Sequence, residues 1–122
     1  MPVAYSNVYL HAAGMFFLFL PVDNTGMDAF VAPLNRISER IKRRILAENG
    51  IQTRHYAIDS EGHTVFSNAQ MAAAAIAQTL TLAGKTLAEV GFLSSGSSGG
   101  DALMPGFANM VQGEMAAPPM ET

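Results

Sequence analysis

The chain of 122 residues contains no cysteine. A disulfide framework, a thiolate metal site and a cysteine nucleophile are therefore all excluded within this polypeptide. Charge is scarce as well: 14% of residues are charged, against about 25% in an ordinary soluble domain, while 49% are hydrophobic. Such a surface has little polarity with which to face water alone. Together with eight methionines, it points to a large partner interface or to a slice of a bigger core. Long apolar runs are missing too. The longest, Ala12 to Leu20, is interrupted by Gly14 and bounded by His11 and Pro21, well short of the ~20 residues needed to span a bilayer. No Lys or Arg precedes Arg36, so the basic region of a secretory signal is lacking and a cytoplasmic protein is expected. There is no internal repeat, and the length suits a single domain over 1–122.

Several segments nevertheless carry clear structural signals. Val3 to Leu20 is rich in Val, Tyr, Leu and Phe and closes on Pro21-Val22-Asp23-Asn24, which reads as one or two strands and a turn. From Asp28 to Glu48, Leu34, Ile37, Ile41, Ile45 and Leu46 recur at three- and four-residue intervals, predicting an amphipathic helix stopped by Asn49-Gly50. Ile51 to Asp59 alternates as a short extended segment, and Ser60-Glu61-Gly62-His63 turns the chain. Ser67-Asn68-Ala69-Gln70 matches a capping box, so a helix should start there. That helix, to Ala83, is almost free of charge and is expected to be apolar on most sides, hence buried. Gly84 ends it, Leu87 to Val90 is a short connector, and Gly91 to Ser95 reads as a buried strand. The composition of Ser94 to Gly100 (SSGSSGG) fits a flexible linker, but its place between a strand and Pro105 argues for an ordered loop. Pro105 suits the first turn of a helix running to about Met115.

Chemistry-bearing residues are few. Five of the seven Lys and Arg residues, Arg36, Arg40, Lys42, Arg43 and Arg44, lie in one stretch. They form either a solvated helix face, paired locally with Glu39 and Glu48, or a dock for an acidic partner or for phosphates. Nucleic acid is disfavoured, because net charge is −3 and no aromatics interleave with the basic residues. Arg54 stands alone in an apolar region, where it either pairs with Asp59 or Glu61 or meets a phosphate. His11, His55 and His63 have no metal-ligand spacing and are expected to be structural or exposed. The glycines after Ser94 are not followed by Lys-Ser or Lys-Thr, which excludes a P-loop.

The order of these parts resembles the 3-oxoacyl-(acyl carrier protein) synthase III family, the type III ketosynthases of the thiolase superfamily. Gly50-Ile51-Gln52-Thr53-Arg54-His55 is similar to that family's Gly-Ile-x-x-Arg stretch, and Asn68 to Gly84 to its Ala-rich helix. Ser94 to Pro105 matches its strand, loop and proline segment, and Phe107 to Glu114 the following helix. The wording His-Tyr-Ala-Ile-Asp and Asp-x-x-x-Pro-Gly-Phe leans toward a secondary-metabolite branch making alkylresorcinols, pyrones or quinolones.

The resemblance implies an α/β chain forming the N-terminal part of a thiolase fold (αβαβα layers), completed by a second polypeptide or fragment. It implies an acyltransferase that joins acyl thioesters by Claisen condensation. The catalytic Cys, His and Asn would lie outside this chain, on a companion chain or C-terminal fragment. No metal or resident cofactor is expected, since substrates ride on the phosphopantetheine of an acyl carrier protein or on coenzyme A. Arg54 is expected to bind such a phosphate. Met104, at a position that lines the neighbour's acyl pocket across the dimer of complete units, is expected to favour an apolar tunnel; ordinary core packing is its other reading. Arg36, Arg40, Arg43 and Arg44 would dock the carrier protein. Two further readings stay open: a non-catalytic partner subunit that shapes a ketosynthase pocket, and a small stand-alone α/β binding domain.

Overall fold

A computed structural model describes residues 6–122. The chain is a mixture of helix and a small sheet, and it divides into two units: residues 6–16 with Asn68–Thr122, and Phe17–Ser67.

The first unit is built on two helices, α2 (Asn68–Ala83) and α3 (Phe107–Glu114). Its buried residues, Ala69, Leu93 and Val111, are packed by Ile76, Phe107 and Met110 among others. The small alanine side chains of α2 let α3 approach closely, so a few larger residues of α3 can fill the space between them. Gly84, at φ +62°, ends α2 in the left-handed conformation that lets the Lys85 N–H reach the Leu80 carbonyl. Residues 6–16 cross α2 at Gly14, where a Cβ would meet the Thr79 backbone nitrogen at 3.0 Å. His11 Nε2 donates to the Ala83 carbonyl, and Gln78 Oε1 accepts from the Met15 N–H.

Four expectations need correction here. Residues 6–20 hold no strand, and the expected start at Val3 lies outside the described residues. Gly91 to Ser95 forms no strand either: Phe92 makes one isolated bridge with Glu121, through the Leu93 N–H donating to the Glu121 carbonyl at 2.8 Å. A strand needs a ladder of neighbours, and here there is one contact. Pro105 sits ahead of α3 rather than in its first turn, because the helix begins at Phe107 after Gly106. Finally, α2 is half-buried rather than enclosed, with Ala69 its one buried residue and Leu82 largely exposed.

The second unit holds β1 (Val22–Asp23), α1 (Arg36–Asn49) and β2 (Thr53–Arg54). The strands pair antiparallel, Val22 opposite Arg54 and Asp23 opposite Thr53. After β1 the Asp23 carboxylate accepts from the Thr25 and Gly26 N–H groups and launches a 3₁₀ turn, Gly26–Ala29. The helix expected from Asp28 begins eight residues later, at Arg36. Pro33 interrupts the pattern, and the Asn35 side chain accepts from the Ile37 and Ser38 N–H groups while Ser38 returns a bond to the Asn35 N–H, a reciprocal cap that fixes the start. The stop is where the sequence placed it: Gly50 takes φ +69°. The turn at 60–63 also forms, with Gly62 at φ +85° and the Asp59 N–H bonded to the His63 carbonyl. Leu18 is the only buried hydrophobic residue among those described in this unit.

Candidate functional site

The basic residues of α1 fall into two groups. Lys42 turns inward, with 16% of its side chain exposed, onto the Asp28 carboxylate. Arg44 meets Glu48 at 2.9 Å on the surface. Arg36, Arg40 and Arg43 stay exposed and make no ion pair among the described residues. One helix face therefore gathers all four arginines expected to act as a dock. Sequence spacing does this: residues four apart, such as Arg36, Arg40 and Arg44, form one row along a helix.

Arg54 sits on β2 in the same unit, half-buried. Its Nη2 donates to Asn24 Oδ1 at 2.5 Å, and Asn24 in turn donates to the Ile51 carbonyl. The expected pairing with Asp59 or Glu61 does not occur. The Asp59 carboxylate is already occupied, accepting from the Glu61 and His63 N–H groups at 2.9 Å each within its own turn. The backbone N–H of His63, first among these donors, holds the Asp59 carboxyl below its usual value. Arg54 Nη1 is enclosed and has no hydrogen-bond partner, which leaves a charged donor short of an acceptor.

Next to these elements lies an apolar cavity of about 250 Å³, lined by Phe19, Leu20, Val22, Phe30, Tyr56 and Ile58 with Asp59 at its edge. Tyr56 stacks on Phe30 with ring centroids 4.6 Å apart, and its enclosed hydroxyl has no partner. Phe19 adopts φ +53°, a costly conformation for a bulky residue. The bond from His55 Nδ1 to the Leu18 carbonyl, 2.7 Å, and the stacking of His55 on Phe17 anchor the backbone just before it. Asn24, Tyr56 and Phe30 escaped the sequence reading. Only the run of aromatic residues hinted at them, and their meeting depends on β1 pairing with β2.

Met104 belongs to the other unit and is 83% exposed, so ordinary core packing does not account for it. Ser94 to Asp101 is tied to α2 rather than loose. Asp101 Oδ1 and Oδ2 accept from the Asn68 and Ala69 N–H groups at 2.8 Å each, and Asn68 Nδ2 donates to the Gly99 carbonyl. The three histidines are structural or exposed: His63 lies near Asp59 and Glu61, and no cluster able to hold a metal occurs among the described residues. No helix among them is long and apolar enough to cross a membrane. No protein-family model matches the chain, and no curated protein matches it in sequence.

Proposed function

We propose that this chain is one part of a condensing enzyme of the type III ketosynthase kind, an N-terminal thiolase-fold segment completed by a companion polypeptide. The carrying observation is uncovered surface. The chain exposes 9327 Å², whereas a folded monomer of 12.9 kDa exposes about 6,300 Å². Counted as two independent folded units it would still expose only about 7,600 Å². Val8, Tyr9, Leu10, Met15, Phe17 and Leu20 are all open to solvent, in a stretch without Lys, Arg, Asp or Glu. An excess of this size is in the range that obligate interfaces bury.

In the complete enzyme the companion supplies Cys, His and Asn. Its thiolate attacks the carbonyl carbon of a first thioester, takes over the acyl group and releases the carrier's thiol. A second thioester, decarboxylated or deprotonated, attacks that acyl carbon, forming the C–C bond and releasing the thiolate. This chain contributes wall and interface. The half-buried Arg54 side chain and the exposed Met104 side chain are the positions proposed for contact with a phosphate-bearing acyl carrier and with the acyl chain.

Reconstitution tests the reading. The 122-residue chain mixed with a companion bearing Cys, His and Asn should form C–C bonds from acyl thioesters, and neither should do so alone. Arg54→Ala in the mixture should raise KM with kcat little changed. A companion that is fully active by itself would instead make this chain a non-catalytic accessory subunit; turnover by the chain alone would overturn the proposal.

A further inference from the structure

Helix α1 presents two parallel stripes to solvent. Leu34, just before the helix, and Ile37, Ile41 and Ile45 are 95%, 72%, 53% and 52% exposed and follow one line along it. At 1.5 Å rise per residue, that line is roughly 17 Å long. Beside it runs the arginine row, Arg36, Arg40 and Arg44, with Arg43 adjoining. On α1 five basic residues face two acidic ones, Glu39 and Glu48, and Glu48 is taken by Arg44.

This surface differs from the uncharged apolar stretch 8–20. A protein interface buries apolar side chains well but excludes charge from its centre, and enclosing three unpaired guanidinium groups would be costly. A lipid surface accepts both stripes. Isoleucine side chains enter the acyl boundary while arginine stems lie along it and their head groups reach lipid phosphates. An exposed helix face needs no matching groove in a lipid surface. At its edge Ile41 and Ile45 wall an apolar cleft of about 330 Å³ with Met27 and Leu46, which extends the apolar contact.

We infer that α1 is an interfacial helix that binds the chain to the surface of a membrane containing anionic phospholipid, with Leu34, Ile37, Ile41 and Ile45 inserted and Arg36, Arg40 and Arg43 on the phosphates. This is independent of the condensing-enzyme reading and survives its failure.

Sedimentation of the full chain with vesicles tests it, using zwitterionic phospholipid alone and the same lipid mixed with an anionic phospholipid. Binding should require the anionic lipid and fall with salt. Each of Arg36→Gln, Arg40→Gln and Arg43→Gln should weaken it about fivefold. The exposed positions allow Ile37→Ser with Ile41→Ser, which should weaken it more than tenfold with the helix signal in circular dichroism retained. Lys85→Gln, in the other unit, should have no effect. Three results would overturn the inference: no binding to either vesicle, equal binding to both, or an arginine dependence without any isoleucine dependence. Failure to bind vesicles with saturable binding to an acidic carrier protein would overturn it in favour of a protein partner.

Discussion

The Asp101 carboxylate caps α2 from a loop 33 residues away, taking the N–H groups of Asn68 and Ala69. Asp101→Ala is therefore expected to destabilise the first unit by about 1 kcal/mol, and Asp101→Asn by less, as read from the midpoint of denaturant unfolding. Gly14 is a second sensitive position. Its Cβ would lie 3.0 Å from the Thr79 backbone nitrogen and 3.1 Å from its Cα, atoms that cannot rotate aside. Gly14→Ala should lower the same midpoint by about 1–3 kcal/mol, and an unchanged midpoint would show that 6–16 does not lie against α2. Neither contact was legible in the sequence, because both join residues far apart along the chain. Arg54 gives the same lesson: its nearest carboxylates, Asp59 and Glu61, looked like partners, yet the turn uses Asp59 first and Arg54 reaches Asn24 instead.

Helices were read well where local chemistry fixes them. Gly50 after α1 and Gly84 after α2 stop their helices as glycines do, by taking positive φ. No atom lies within 4 Å of a Cβ built at Gly50, so Gly50→Ala should cost only the backbone penalty of about 1–2 kcal/mol, visible as a lower thermal midpoint with α1 otherwise intact. The start of α1 was misread because apolar spacing continues upstream through Leu34, whereas Pro33 and the Asn35 cap set the true boundary. Strands were read worst: Val3 to Leu20 and Gly91 to Ser95 have strand-like residues, but pairing partners decide whether a strand forms. The turn at 86–89 offers a pH test. Hydrogen bonding from Lys85, then from the Thr86 N–H and hydroxyl, pulls the Glu89 carboxyl from 4.5 to about 2. A lowered folded value means the ionised form is the one the fold holds, so its contribution is present above pH 4.5 and lost as pH falls toward 2. The Thr86 amide resonance should follow that titration, and an amide unmoved across this window would show that the cap does not form.

At the scale of the whole molecule, composition and structure agree. A chain that is 49% hydrophobic and 14% charged was expected to lack a surface of its own, and it buries only four hydrophobic residues among those described while leaving many large ones open. What composition could not reveal is where the open surface lies: the uncharged stretch 8–20, for which we propose another polypeptide, and the arginine-flanked stripe on α1, for which we propose lipid. The condensing-enzyme proposal rests on motif order, which no single contact replaces. Amide hydrogen exchange of the isolated 122-residue chain tests its central claim of incompleteness most directly. Amides of α2 and α3 around Ala69 and Val111 should be protected and those of the exposed Val8, Tyr9 and Leu10 should exchange at nearly unprotected rates, gaining protection when the companion is added. Strong protection of Val8, Tyr9 and Leu10 in a lone monomer would contradict the account.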